Sequence, residues 1–267
     1  MSDGDVAKQC MTKRGGEDVA SNMLILPRNR GEANSDYVYR LLKYNILMFI
    51  MPPGSLLRGV SIAESLGMSR TPVNQAVSLL KEQLLVDVEP QSATHVSRIN
   101  VSAMRQGSLL RTEVEASTLY RMAGRLSSRY IERLQDSLAE QRAALDEPQP
   151  DLYKIASLDD EFHRIVFEGS NMEFTWRVLQ TASTHYDRIR YMGLVYGLDD
   201  PREFYEDHVD FYKRLAFGTR HTEAQLYNYT YTHLNRYVDH FDKVVSEYPE
   251  YFDFGPVPGD RASDIIA

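Results

Sequence analysis

The chain has 267 residues, 43% of them hydrophobic and 25% charged, a composition that supports two folded domains with real cores and excludes the disordered and fibrous classes. Its single cysteine, Cys10, excludes an internal disulfide or a cysteine-built metal site; no apolar run reaches the roughly 18 residues of a membrane span and the start lacks a secretory core, so a cytoplasmic protein without membrane contact is expected. The net charge of -8 argues against general nucleic-acid stickiness, but it is uneven: residues 36–98 hold six cations against five acids, residues 1–35 balance, and the acidic surplus lies beyond residue 98.

Residues 1–35 contain "RGGED" and "PRNRGEANSD" without a sustained period and are expected to form a mobile tail. A first helix is predicted from Val38, where Val38, Leu41, Leu42, Ile46 and Phe49 share a face, and "MPPGS" at 51–55 ends it. A short helix follows with Ile62, Ala63 and Leu66 inward. After the Gly67-Met68 turn, Ser69 or Thr71 can cap a third helix, with Pro72 tolerated in its first turn. Val73, Ala76, Val77, Leu80 and Leu84 are its predicted buried stripe. Arg70, Thr71, Asn74, Gln75, Ser78 and Lys81 then point outward as a polar face poor in acids and able to enter a major groove. "LLVDVEPQSATHVSRI" at 84–99 alternates apolar and polar residues around a Pro-Gln-Ser-Ala turn, as a hairpin does, with Thr94 and His95 on its returning arm. Three helices and a hairpin make a winged helix over residues 36–98.

Residues 99–105 are expected to link this unit to an all-helical domain over 106–250, six or seven helices broken at "DEPQPD", "EGSN", "YGLDDP" and "AFGTRH", with residues 251–267 as a frayed tail. In "SLDDEFHRIVFEGSN", Ile155, Leu158, Phe162 and Val166 form an apolar stripe along which Asp159 and His163 lie four residues apart. That spacing puts their Cβ atoms about 5–6 Å apart on one helix face, close enough to share a metal or to hydrogen-bond as a buried pair supporting the core. His208, among Phe204, Phe211, Tyr212 and Leu215, and His233, among Leu226, Leu234, Tyr237 and Phe241, also point inward. Buried imidazoles and a carboxylate each need a polar partner, and one cation supplies it to all four. Such a set suits zinc first, and also manganese, nickel or iron. His240 shares a face with His233 and rivals it as a ligand; His221 and His185 read as surface or pocket residues. Arg111 and Glu115, four apart on the first long helix of this domain, read either as an ordinary helix pair or as an arginine that grips a small carboxylate beside the metal.

These residues together resemble the GntR-family bacterial transcription regulators that carry an FCD effector domain. The likeness rests on "PPGSLL", Ile62-Ala63, Leu66-Gly67, "SRTPV" with Ala76 and Leu80, and "EQLLV" in the first half, and on "LLRTEVE", "DDEFH" and the two later histidines in the second. It implies a mainly α chain, an N-terminal winged helix-turn-helix before an all-α FCD bundle. It also implies one divalent metal per chain on Asp159, His163, His208 and His233, and an effector site at Arg111, Glu115 and Asn171. The DNA contacts it implies are Ser69, Arg70, Thr71, Asn74, Gln75, Ser78, Lys81, Thr94 and His95. The chain departs from the family at Gly59, Asn74, Gln75, Gln83, Ser92 and Ala93; losing arginines at 74 and 92 weakens a salt-dependent grip, whereas Asn and Gln can read adenine.

The expected function is that of a homodimeric repressor on an inverted-repeat operator of double-stranded DNA, controlled by a small carboxylate effector. A sensor acting through protein partners is the alternative. A metal-dependent enzyme is disfavoured because, beyond the ligands, the sequence offers no clear general base.

Overall fold

The computed structural model describes residues 22–89 and 93–255. The winged helix is built from α1 (Asn34–Leu47), α2 (Gly59–Ser65) and α3 (Arg70–Glu82), followed by the antiparallel strands β1 (Val86–Val88) and β2 (Thr94–Val96), registered Val86 to Val96 and Asp87 to His95. Residues 54–57 add a third line to this sheet through Val96 N–H to Ser55 O at 2.8 Å and Leu57 N–H to Thr94 O at 2.7 Å. The tip of the predicted turn, residues 90–92, lies outside the described residues, as do residues 1–21 and 256–267 of the predicted tails.

The α1 stripe is buried as its spacing requires, with Val38, Leu41, Leu42 and Ile46 at 0% exposure. Leu84 is a correction. It is exposed and carries a φ of 59°, because α3 stops at Glu82 and the chain turns left-handed there, so Leu85 takes the buried position. The tail expectation also changes for its last residues: Met23 is buried, Leu24 N–H and C=O bond the Asn45 side chain at 2.8 and 3.0 Å, and Arg40 pairs with Glu32 at 2.7 Å. Asn45 is fully buried inside α1, and its amide needs these partners.

No irregular linker separates the halves. Strand β3 (Ile99–Asn100) runs straight into α4 (Val101–Met122), whose first turn is capped by the Asn100 side chain accepting from Ala103 N–H at 2.8 Å. Then come α5 (Ser128–Leu145), α6 (Leu152–Gly169), α7 (Glu173–Ala182), α8 (Thr184–Val195), α9 (Pro201–Phe217), α10 (Glu223–Leu234) and α11 (Phe241–Glu247). The predicted frayed end is partly ordered: β4 (Phe252–Asp253) pairs in parallel with β3, and Tyr251 and Phe252 are buried. One apolar core runs through both halves, from Leu41 and Leu80 through Tyr186, Ile189 and Met192 of α8 to Tyr237, Phe241 and Phe252. A second, around Leu119, Phe162, Phe211 and Leu226, lies within the bundle.

Candidate metal centre and nucleic-acid interface

Three helices of the bundle aim four polar side chains at one point between them. Helix α6, started by Asp151 capping Lys154 N–H, carries Asp159 and His163; α9, started by Asp200 and Pro201, carries His208; α10, opened by a Thr222–Gln225 capping box, carries His233. All four are buried, and one ligand atom from each lies within 4.8 Å of all the others. His163 Nε2 sits 3.3 Å from His208 Nε2 and 3.3 Å from His233 Nε2, and His208 Nε2 sits 3.5 Å from Asp159 Oδ1.

The far side of each ring fixes what these nitrogens offer. His208 Nδ1 is 2.8 Å from Gln141 Oε1, His233 Nδ1 is 3.0 Å from Asp207 Oδ2, and His163 Nδ1 is 2.6 Å from Glu115 Oε2. The oxygens of Gln141 and Asp207 accept, so Nδ1 of His208 and of His233 carries the proton and Nε2 of each presents a lone pair, whereas His163 and Glu115 stand at ion-pair distance. Two Nε2 lone pairs and a carboxylate oxygen crowded together repel one another, and a cation among them would relieve that repulsion. Burial pushes the His208 pKa well below its usual value despite Asp159, and burial pushes the His233 pKa down despite Asp207, so both rings are neutral and ready to bind. Burial opposes ionisation of Asp159 and Glu115, but Arg190 overcomes it at the first and Arg111, with His163, at the second, so both carboxyls are held below the usual range.

Arg111 and Glu115 meet as their spacing predicts, Nε to Oε1 at 2.6 Å, both buried. The guanidinium also donates from Nη1 to Asp187 Oδ1 at 3.2 Å, leaving Nη2 as its buried donor without a hydrogen-bond partner among the described residues. An incoming carboxylate therefore finds one free arm, not a fork. Arg190 donates to Asp159 Oδ2 and, at 3.2 Å, to Asp160. Around the cluster, then, two guanidiniums face the four carboxyl groups of Glu115, Asp159, Asp160 and Asp187. Burial and Asp160 push the Asp187 pKa up, so the charge balance does not fix the ion, but three imidazoles and a carboxylate are a donor set that fits the metal the resemblance implies.

Two voids of about 30 Å³ each flank the cluster, one lined by Gln141, Asp159, Arg190 and Phe204, the other by Glu115, Phe162, His163 and Thr230. Each has room for a water molecule or two. An organic acid enters only if the helices part. Asn171 is not brought to the cluster: it is exposed, has a φ of 55° and terminates α6, its N–H bonding Glu168 O at 3.0 Å. His240 is elsewhere too, 3.6 Å from Asp199. The orienting residues Gln141, Asp207 and Arg190 were not anticipated. Charged Asp187, Arg188 and Arg190 among Tyr186, Ile189, Tyr191 and Met192 were the one sequence signal that α8 carries buried charge.

In the winged helix, Ser69, Arg70, Thr71, Asn74, Gln75, Ser78 and Lys81 are all exposed along α3. Val73 and Ala76, at 0%, anchor the opposite face. Thr94 and His95 are half-buried on β2, where their backbone pairs with β1 and with residues 56 and 57.

The family models agree with this division. The model for bacterial regulatory proteins of the gntR family matches residues 34–96, and that for the FCD domain matches residues 108–235. The HTH-type transcriptional repressor RspR of Escherichia coli K12 is 27% identical over 178 residues, covering 67% of this chain and 77% of that protein. An HTH-type transcriptional regulator from an unstable DNA locus of Streptomyces ambofaciens is 28% identical over 87% of this chain and 96% of its own length. Among solved structures, E. coli McbR/YncC shares the fold with a TM-score of 0.57 at 20% identity, covering 82% of this chain and 99% of that one. A GntR-type regulator from Rhodococcus sp. RHA1 does so at 0.54 and 17%, covering 82% of this chain and 100% of its own. With the two matched regions in this order and the reading helix exposed, the chain belongs to the GntR family of bacterial regulatory proteins, in the branch that carries an FCD domain, and is a transcriptional regulator of that type, not an enzyme.

Proposed function

We propose that this regulator is a homodimeric, cytoplasmic repressor that binds an inverted repeat through α3 and is controlled by a divalent metal and a small carboxylate in the FCD bundle. The observation that carries the reading is the meeting of three imidazole Nε2 atoms and Asp159 Oδ1, with the His208 and His233 rings held from behind by oxygen acceptors and His163 beside Glu115. Asp159, His163, His208 and His233 would hold the metal, which would neutralise the carboxylate surplus and tie α6, α9 and α10 together. Arg111 Nη2 and the buried Thr230 hydroxyl, both without partners among the described residues, are the donors left for an effector.

Metal analysis of the purified protein tests the centre directly. About one divalent ion per chain is expected in the wild type and none in His163→Ala; full occupancy in a His163→Ala, His208→Ala double variant would place the metal elsewhere. In the metal-loaded protein a small carboxylate should raise the melting temperature and shift DNA affinity, with both responses lost in Arg111→Ala.

A further inference from the structure

Helix α8 presents charge on two faces, and the two faces look at different halves of the protein. Asp187 and Arg190, three residues apart, turn to the ligand cluster, where Asp187 accepts from Arg111 at 3.2 Å and Arg190 grips the ligand Asp159. His185 and Arg188, also three apart, turn to the junction with the winged helix. There His185 Nδ1 accepts from Asn100 N–H at 3.3 Å, and Arg188 Nη1 donates to Ser97 O at 2.6 Å and to Ser97 Oγ at 3.0 Å. Ser97 passes the contact on, its hydroxyl donating at 2.7 Å to the carbonyl of Leu84, the left-handed residue where the chain leaves the reading helix α3.

Arg188 is a costly way to make this tie. It is fully buried, its Nε and Nη2 have no hydrogen-bond partner among the described residues, and no carboxylate pairs with it within ion-pair distance. Burial depresses its pKa to about 9, with exposed Asp87 the charge that pulls the other way. A neutral side chain of similar length would join two rigid halves at lower cost. Beside this tie, a cleft of about 450 Å³, lined by Lys43 and Gln83 on one side and Tyr153, Asp160 and Asp187 on the other, leaves room for the winged helix to rock. The voids at the metal cluster are too small for an organic acid, and Arg190 lines one of them, so a ligand larger than water admitted there would press on α8.

We propose that Arg188 is the positioning residue through which the metal cluster acts on the reading helix, along Asp159, Arg190, Arg188, Ser97 and Leu84. This rests on the metal reading above. Its consequence is that removing Arg188 or the Ser97 hydroxyl leaves metal binding intact and silences its effect at α3.

Hydrogen exchange of the full-length protein, with zinc ions and with a chelator, tests it in wild type, Arg188→Met and Ser97→Ala. Zinc should slow exchange several-fold in α6, α9 and α10 of all three proteins. In the wild type alone it should also change exchange at residues 83–88 and 97–100. Persistence of that second change in both variants would route the coupling elsewhere, and its absence from the wild type would remove the coupling altogether. Wild-type protein that takes up no zinc is a different failure, that of the metal centre itself, and is read from metal content before any exchange is measured. Should Arg188→Met not fold, Ser97→Ala carries the test, since it deletes one hydroxyl and keeps the carbonyl that Arg188 also contacts.

Discussion

Asp207 shows how much a single side chain decides. It is not a metal ligand, yet it accepts from His233 Nδ1 at 3.0 Å and from Arg236 at 2.7 Å, and so fixes both the ring and its tautomer. Asp207→Ala should weaken metal binding about 10–100-fold, the usual effect of losing such a partner. Competition against a chromogenic chelator measures it, and unchanged affinity would mean that the ring needs no external orientation. On the DNA side, exposed Asn74 can offer paired hydrogen bonds to adenine, so Asn74→Ala should cost about 1–3 kcal/mol of operator binding. Isotherms that do not move for either Asn74→Ala or Arg70→Ala would take α3 out of the mechanism. The histidines also set an acid limit. His185 falls to about 4 through burial, with Arg188 adding to the shift, and burial lowers His208 and His233 as well. An unfolded chain binds protons on these rings below about pH 6.5, where the folded one does not, so stability is lost as pH falls from there towards 4. From His185 alone the loss between pH 7 and 5 is about 2 kcal/mol. Urea midpoints of the metal-free protein should therefore fall over that range; a flat profile would show these rings to be protonated in the fold. The four clustered residues were legible in the sequence because Asp159 and His163 share a helix stripe and His208 and His233 have apolar neighbours. Their supports were not, because Gln141, Asp207 and Arg190 reach the site only when separate helices pack.

The helices show the same division between local and long-range information. The face of α3 follows from its own spacing, as does the stripe of α1. The left-handed exit at Leu84, the ordering of residues 23–32 against α1 and the β3–β4 pairing depend on partners distant in the chain, and the sequence pattern misassigned all three. Gly107, inside α4, is another position that local rules misread. Helix propensity alone makes Gly107→Ala stabilising by about 1 kcal/mol. The added Cβ would stand 2.9 Å from Ala182 O and 3.0 Å from Ser183 Cα, backbone atoms at the α7–α8 junction that cannot swing aside. Overpacking of this kind costs about 1–3 kcal/mol, so the net change should be destabilising. A higher melting temperature for Gly107→Ala would mean that α4 and the α7–α8 junction are not held together this closely.

At the scale of the whole molecule, the uneven charge and the shared core bear on how the protein meets DNA. The acidic surplus beyond residue 98 opposes approach to a phosphate backbone, and the described part of α3 exposes two cations, Arg70 and Lys81. One winged helix of this kind makes too few phosphate contacts for high affinity. Two copies related by a two-fold axis double those contacts and place two reading helices about one helical turn of DNA apart, which turns a weak half-site into a specific operator. In the proposed dimer the bundle would set that spacing through the core it shares with the winged helix, and a displacement of α8 would be expected to change the separation of the reading helices. The expected target is thus an inverted repeat, protected symmetrically in a footprint and bound with a modest dependence on salt for a dimer, since few cations face the phosphates. Light scattering at micromolar concentration should give twice the mass of the chain, and halving one arm of the repeat should abolish binding instead of halving it. A monomer with a single asymmetric footprint would mean that one winged helix carries the recognition by itself.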